Sequence, residues 1–161
     1  MDASLLPTLK AAILAETDAA FVALRQANNE QGMAGRYNAL STFVVRRRSV
    51  LAAEIGPALN YIAVSSLTTA NRDRATTFII LNPLSFAPTA DVESYWDATF
   101  SGALGGQGQA TRDALVALWR RIVTRGERLF CTGTGTTVAP GTLGAFEGTI
   151  SAQDISDALR S

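Results

Sequence analysis

One stretch, Gln109 to Phe130, constrains the fold of this chain more than any other. Its apolar side chains recur every three or four residues, the spacing that places them on one face of an α-helix. They are Leu115, Leu118, Trp119, Ile122, Val123, Leu129 and Phe130. Gly126 lies on the same face, where its lack of a side chain allows another backbone to approach closely. The stretch therefore predicts one amphipathic helix, with Leu118, Trp119 and Ile122 at the centre of the core.

Residues that commonly begin helices stand ahead of several other apolar stretches. They are Ser4, Thr17, Thr89 and Ser151. Asp154 follows Ser151 by three residues, which is typical of a capped helix start. With 161 residues, of which 47% are apolar and 17% charged, the chain is long enough to bury one core. The sequence therefore predicts an all-α, mostly helical protein that forms a single domain over residues 1–161.

Residues 35–51 are open to two interpretations. Tyr37, Leu40, Phe43 and Val44 keep the spacing of a helix face. The segment from Ser41 to Val45, however, is rich in β-branched and aromatic residues, which favour an extended strand. We favour a helix followed by a loop here, and the strand is the alternative.

Residues 132–150 have a different character, because glycine and threonine alternate there. Each glycine costs a helix about 1 kcal/mol relative to alanine, and the segment contains Gly133, Gly135, Gly141, Gly144 and Gly148. The composition therefore predicts an extended arm or a hairpin near the C-terminus. In a hairpin, Val138 and Phe146 would lie on opposite arms with a turn at Pro140-Gly141.

The residue types exclude several enzyme classes. The chain has no histidine and a single cysteine, Cys131, so neither Ser-His-Asp nor Cys-His catalysis can operate, and no disulfide can form within the chain. Glu93 and Asp97 lie four residues apart on one predicted helix, but acidic residues near a helix start usually interact with the helix dipole. We therefore predict that the protein is not an enzyme and has no catalytic, cofactor-binding or metal-binding residues.

Positive charge is concentrated in one part of a chain whose 14 basic residues balance its 14 acidic ones. The stretch from Gln109 to Cys131 contains Arg112, Arg120, Arg121, Arg125 and Arg128, against only Asp113 and Glu127. On the predicted helix Arg120, Arg121 and Arg128 point away from the apolar face and Arg125 lies at its margin, so we expect the positive charge on the surface and not paired with buried acids. We interpret Arg120, Arg121, Arg125 and Arg128 as a protein-interaction site that binds the carboxylates of a neighbouring subunit. The alternative is contact with the DNA backbone.

Two other motifs suggest phosphate binding only weakly. Arg46-Arg47-Arg48 fits either a phosphate-binding cluster or an ordinary solvated surface. Gly102, Gly105, Gly106 and Gly108 precede the central helix, but neither the P-loop lysine nor a strand–GxGxxG–helix arrangement accompanies them. We therefore interpret these glycines as a plain loop between helices.

Several segments of the chain resemble those of a little-characterised family of tailed-bacteriophage virion-associated proteins. In the C-terminal half these segments are Gly105-Gly106-Gln107-Gly108-Gln109-Ala110-Thr111-Arg112, Thr124-Arg125-Gly126-Glu127-Arg128-Leu129-Phe130, Thr132-Gly133-Thr134-Gly135-Thr136 and Phe146-Glu147-Gly148. The stretch from Leu67 to Phe100, with Asn82-Pro83 and Tyr95-Trp96-Asp97, is similar as well. The resemblance covers somewhat more than half of the chain.

The resemblance implies a setting in the virus particle and supplies no catalytic residues. It implies a non-enzymatic structural protein, made in the host bacterial cytoplasm and located in the virion, as a head–tail connector or neck component that assembles as a ring. Its partners would be portal, capsid or tail subunits and copies of itself, with non-specific contact to packaged DNA and none to membranes. A head-surface (decoration) or tail structural protein is the first alternative. A phage-encoded DNA-binding or regulatory helical protein is the second.

Overall fold

The computed structural model of the protein describes residues 1–100 and 105–161. A short 3₁₀ helix, Ala3–Leu5, comes first. The helices and strands that follow are, in chain order, α1 (Leu6–Ala15), α2 (Ala19–Gln26), α3 (Glu30–Asn38), β1 (Leu40–Arg46), β2 (Val50–Leu51), α4 (Ala52–Ala58), α5 (Tyr61–Ser65), α6 (Thr69–Leu81), β3 (Ser85–Phe86), α7 (Ala90–Thr99), α8 (Gly105–Trp119), β4 (Arg120–Thr124), α9 (Arg125–Arg128) and α10 (Ala152–Arg160).

Helix is the main secondary structure of the protein. Helices make up 59% of the structure and strands 12%, so the predicted mostly helical class is confirmed. The strands form small two-stranded antiparallel sheets, in which β1 pairs with β4 and β2 with β3. In the second sheet Val50 lies opposite Phe86, and Leu51 lies opposite Ser85. An all-α description is therefore correct only in outline.

The chain divides into two units. One, which we call the terminal unit, contains Met1–Val45 and Ile122–Ser161, so it is built from both ends of the chain. The other, the central unit, contains Arg46–Arg121. The single domain expected over residues 1–161 stays a prediction.

The core of the terminal unit lies between α1, α3 and α10. Its fully buried side chains include Leu9, Ile13, Met33 and Ile155. Phe21 packs edge-on against Tyr37, with ring centroids 5.4 Å apart, a favourable arrangement for two aromatic rings. The predicted capped start of α10 is confirmed, because Ser151 Oγ accepts a hydrogen bond from the Asp154 N–H at 3.1 Å.

An aromatic cluster forms the core of the central unit. Trp96 lies at its centre, stacked on Phe100 at 5.9 Å and tilted against Trp119 at 6.4 Å between ring centroids. Phe78 and Phe86 pack edge-on against each other at 4.9 Å. The central place predicted for Trp119 is confirmed, since its side chain is buried in this cluster, and Leu118 is partly buried beside it.

The single helix expected from Gln109 to Phe130 is wrong. Helix α8 ends at Trp119, residues 120–124 form strand β4, and α9 follows as a separate short helix. In a strand, alternate side chains face opposite sides, so Val123 is fully buried while Ile122 is 47% exposed. Ile122 is therefore not a core residue. The β-branched run of Ile122, Val123 and Thr124 suits a strand, and pairing with β1 outweighs the helical periodicity.

The helix favoured from residue 35 onward is also wrong beyond Asn38. Helix α3 ends there, and the segment from Ser41 to Val45 lies in strand β1, which was the alternative interpretation. The Ser41 hydroxyl donates a hydrogen bond to the Val123 carbonyl at 2.7 Å, which ties β1 to β4.

Residues 132–150 do not form an extended arm, because they pack against their own unit. Thr132 and Thr142 pair with each other as an antiparallel bridge, and the chain turns between Thr136 and Ala139 rather than at Pro140-Gly141. Val44 of β1 receives a hydrogen bond from the Gly141 N–H and donates one to the Gly135 carbonyl, both at 2.8 Å. A side chain on either glycine would collide with the Phe43 ring, so this packing requires glycine.

The predicted glycine loop before the central helix overlaps the start of α8. Gly102 lies outside the described residues, whereas Gly105, Gly106 and Gly108 belong to the helix.

Among the described residues, no helix is both long and apolar enough to cross a membrane.

Candidate functional site

The four arginines predicted as an interaction site fall into two pairs. Arg120 and Arg121 lie on β4 within the central unit, whereas Arg125 and Arg128 lie on α9 within the terminal unit. The second pair is three residues apart on a helix, so its side chains extend on the same side. The sequence interpretation placed all four arginines on the surface of one helix. Because α8 ends at Trp119, they do not share a helix.

Arg120 is not the free surface arginine that the sequence suggested. It makes a two-point contact with Glu93, from Nε to Oε1 and from Nη2 to Oε2, each at 3.2 Å. Arg46 contacts the same carboxylate through Nη2 at 2.9 Å. The expectation that these arginines are not paired with buried acids is therefore wrong for Arg120, because Glu93 is buried.

Other charged motifs also form ion pairs inside the central unit. Arg47 binds Glu54 through both guanidinium ends, at 2.9 and 3.1 Å, and Asp97 pairs with Arg112 at 3.1 Å. Burial by itself would raise the pKa of Glu93, but the hydrogen bonds from Arg46 and Arg120 outweigh it and hold that pKa below its ordinary value. The contacts of Arg46, Arg47 and Glu93 thus serve the fold of this unit.

Arg125 and Arg128 line an open pocket in the terminal unit. The pocket has a volume of about 510 Å³ and lies between α1, the end of α3, β1 and α9. That volume is within the range of small-ligand and side-chain binding pockets. Its apolar wall is formed by Ala12, Ala15, Leu40 and Leu129, and its polar groups come from Glu16, Tyr37, Ser41, Thr42, Arg125 and Arg128.

The two pocket arginines are held in different ways. Arg125 Nη2 donates to Glu16 Oε2 at 2.7 Å, and its backbone N–H donates to the Ala39 carbonyl at 2.9 Å. The Arg128 guanidinium carbon lies 3.9 Å from the centroid of the Phe43 ring, a cation–π contact. Arg128 makes no ion pair with any carboxylate among residues 1–100 and 105–161.

Tyr37 contributes a buried hydroxyl next to this pair of charges. Its oxygen is shielded from solvent and has no hydrogen-bond partner within the described part of the chain. Burial raises the pKa of Tyr37 to about 12, and the negative charge of Glu16 adds to the rise, against the opposing charges of Arg125 and Arg25. The hydroxyl is therefore protonated at neutral pH and keeps its hydrogen as a donor.

The orientation of α9 is set by a buried acid. Glu127 Oε2 accepts the N–H of Thr124 at 2.9 Å, while the Thr124 hydroxyl accepts the N–H of Glu127 at 3.1 Å, which makes a reciprocal cap. Glu127 Oε1 also accepts the N–H of Gly148 at 3.0 Å. These bonds fix the short helix that carries Arg125 and Arg128.

Sequence analysis missed Glu16 and Tyr37 as site residues. Glu16 stands in a segment interpreted as a helix start, and Tyr37 in an apolar pattern. The contact of Glu16 with Arg125 spans 109 residues of chain, and no local pattern indicates such a pairing. The Thr124-to-Glu127 spacing, in contrast, is a readable cap signal.

The chemistry that this pocket provides is recognition of an anion beside an apolar group. Its two guanidinium groups outnumber its one carboxylate, and its apolar wall accepts an aliphatic side chain. Within the described residues, no three histidine, cysteine, aspartate or glutamate side chains gather as a metal site.

Comparisons of the chain with protein-family models, curated proteins and solved structures find no match. The resemblance to phage virion proteins therefore stays a prediction.

Proposed function

We propose that the protein is a non-enzymatic structural subunit of a tailed-bacteriophage particle, in the head–tail connector or neck, that assembles with copies of itself as a ring. The proposal starts from the resemblance of its C-terminal half and of the stretch from Leu67 to Phe100 to virion-associated proteins. An assembly subunit needs a stable helical core and surfaces that become buried only in the complex.

The observation that carries the proposal is a group of large apolar side chains exposed on the central unit. Ile80 and Leu81, at the end of α6, are 68% and 73% exposed, and Leu84 is 81% exposed. The exposed Leu51 lies nearby, since the N–H of Ala52 donates to the Leu84 carbonyl at 2.9 Å. We call Leu51, Ile80, Leu81 and Leu84 the apolar edge. Side chains of this kind in a cluster typically mark an interaction surface.

The charged groups favour protein contact over DNA contact. Arg46, Arg47 and Arg120 are engaged by Glu93 and Glu54, and the chain has no net charge. Non-specific DNA binding depends on several cations that are available to phosphates. The DNA-binding alternative therefore receives no specific support from these arginines.

Self-association of the purified protein tests the proposal. Native mass spectrometry and sedimentation should detect a closed oligomer for the parent chain. A double variant, Leu81→Asp with Leu84→Asp, should remain monomeric because two charges would have to be buried in the contact. Val138→Asp, at an 89% exposed position in the terminal unit, is the matched control and should assemble normally.

Two results of this experiment would contradict the proposal. One is a parent protein that is monomeric at every concentration. The other is a double variant that forms the same oligomer as the parent, because the apolar edge would then have no part in assembly. Circular dichroism of the double variant checks that it is folded, as expected for substitutions at exposed positions.

A further inference from the structure

The pocket of the terminal unit has more hydrogen-bond donors than acceptors available to it. Both oxygens of Glu16 are already used, Oε1 by the N–H groups of Thr17 and Asp18 at 3.1 Å and Oε2 by Arg125. Arg125 uses one terminal nitrogen for this contact, and Arg128 donates to no described residue. The missing partner is therefore an acceptor.

Charge leads to the same conclusion as hydrogen bonding. Arg125 and Arg128 carry two positive charges against the one negative charge of Glu16, so the lining has a net charge of +1 (2 − 1). Arg128 is also kept in place over Phe43, which lowers the entropy lost when its guanidinium binds a ligand. Guanidinium groups bind carboxylates with two parallel hydrogen bonds.

The apolar part of the lining specifies what accompanies the carboxylate. Ala12, Ala15 and Leu129 line the wall, and Leu40 stands 70% exposed beside them. An exposed leucine on a strand that also carries Ser41 and Thr42 is suited to contact an aliphatic side chain of an approaching chain. The pocket volume of about 510 Å³ lies within the range of pockets that hold small ligands.

We propose that this pocket binds a segment of another protein subunit that presents a carboxylate next to an aliphatic side chain. The carboxylate lies between Arg125 and Arg128, and the aliphatic group packs on Leu40 and Leu129. The inference rests on the proposed role in assembly and names the chemistry of the partner. The carboxylate has two sources, an internal glutamate or aspartate and a free C-terminus.

Peptide titrations of the full chain, followed by NMR, test the inference. The probes are acetyl-Leu-Glu-Leu-amide, its Gln counterpart, and acetyl-Leu-Leu with a free C-terminal carboxylate. We expect the Glu peptide to shift the resonances of Leu40, Thr42 and Leu129 and to bind about tenfold more tightly than the Gln peptide, the size of one charge-assisted hydrogen bond. The free-carboxylate peptide identifies the source, according to whether it binds more or less tightly than the Glu peptide.

Variants separate the pocket from general charge effects. Arg128→Gln should abolish the preference for the Glu peptide over the Gln peptide. Leu40→Asp, at an exposed position, should weaken the binding of the Glu peptide because the two carboxylates repel each other. Arg160→Gln, which removes an exposed charge at the end of α10 in the same unit, should leave the preference unchanged. Equal binding of the two peptides, or no shift at the pocket, would overturn the inference. So would a short DNA duplex that binds the same residues more tightly.

The outcome is independent of self-association. The Leu81→Asp, Leu84→Asp double variant alters only the central unit, so it should still discriminate the Glu from the Gln peptide. If the parent protein is monomeric but still discriminates the Glu from the Gln peptide, the proposed ring is contradicted and the proposed binding pocket is supported. If the parent forms the oligomer but does not discriminate the peptides, the ring is supported and the binding pocket is contradicted.

Discussion

Arg120 and Glu93 make a two-point contact inside the central unit, with both nitrogen–oxygen distances at 3.2 Å. Arg46 contacts the same carboxylate, and none of the three side chains is more than 28% exposed. Removing the acid would take away the carboxylate that two partly buried guanidinium groups share. Removing one partner of such a contact is costly, whereas the intact contact contributes little net stability.

We therefore expect Glu93→Ala to lower the free energy of unfolding by about 2–4 kcal/mol, as measured by denaturant titration. Asp97→Asn is the matched control on the same helix. Its pair with Arg112 is more exposed, so that substitution should cost less than about 1 kcal/mol. Equal effects of the two variants would show that Glu93 is not a structural partner of the arginines.

The same acid gives a pH dependence with a defined sign. The folded pKa of Glu93 lies below its ordinary value, so its contribution is complete above that value and is lost as the pH falls through the folded pKa. On acidification the parent should lose more stability than Glu93→Gln does. Parallel stability curves for the two proteins over the acid range would contradict the assignment.

Tyr37 carries a hydroxyl that is buried without a hydrogen-bond partner among the described residues. Replacing it with phenylalanine removes a desolvated polar group and no hydrogen bond. We expect Tyr37→Phe to unfold at the same denaturant concentration as the parent, or at a higher one. A loss greater than about 1 kcal/mol would reveal a hydrogen bond to this hydroxyl.

Alkaline titration provides a second measurement on Tyr37. Its pKa is raised from 10.0 to about 12, so the folded protein keeps the hydroxyl protonated after the unfolded chain has ionised. The parent should therefore lose stability between these two pH values relative to Tyr37→Phe.

Strand β4 is tested by a pair of adjacent aliphatic residues. Val123 is fully buried and Ile122 is half-exposed, so Val123→Ala should cost about 1–3 kcal/mol and Ile122→Ala less than about 1 kcal/mol. Denaturant unfolding measures both. A larger loss of stability for Ile122→Ala than for Val123→Ala would show that Ile122 is a core residue after all.

Gly126 of α9 is packed too closely for a side chain. A β-carbon placed on it would lie 2.6 Å from Cδ1 of Ile150 and 3.4 Å from the Tyr37 carbonyl oxygen, so we expect Gly126→Ala to cost about 1–3 kcal/mol. Gly35→Ala in α3 is the control, because outside its chain neighbours and its own helix backbone nothing lies within 4 Å of the position that its β-carbon would occupy. That substitution should stabilise the protein by about 0.5–1 kcal/mol.

A second substitution identifies the cause of the Gly126→Ala effect. Ile150→Val removes the methyl group nearest to the new side chain, so the double variant should recover part of the lost stability. Strict additivity of the two substitutions would mean that the Ile150 contact is not responsible.

Local signals in the sequence predicted only part of what depends on local interactions, because Asp2 and Asp18, and not Ser4 and Thr17, cap the first helices. The caps at Thr89 and Ser151 are confirmed, because a cap requires only a hydroxyl and the N–H groups two or three residues later. Gly126 is closely packed, but by the Ile150 side chain; the nearest backbone atom of another segment, the Tyr37 carbonyl oxygen, lies at an ordinary contact distance, so the close backbone approach stays a prediction.

Long-range pairing decided what the sequence could not predict. The helix predicted from the spacing of Gln109 to Phe130 is present as far as Trp119. Residues 120–124 form a strand instead, because they pair with β1. The candidate site depends even more on distant residues. Its acid at Glu16 and its arginine at Arg125 meet only after both ends of the chain have folded into one unit.

The most direct test of the proposed function is quantitative mass spectrometry of purified phage particles assembled in cells that express this chain. We expect the chain to co-purify with intact tailed particles at a constant copy number set by a ring, and the Leu81→Asp, Leu84→Asp variant to be absent from particles while present in the lysate. A parent chain that is abundant in the lysate but missing from the particles would contradict the structural role.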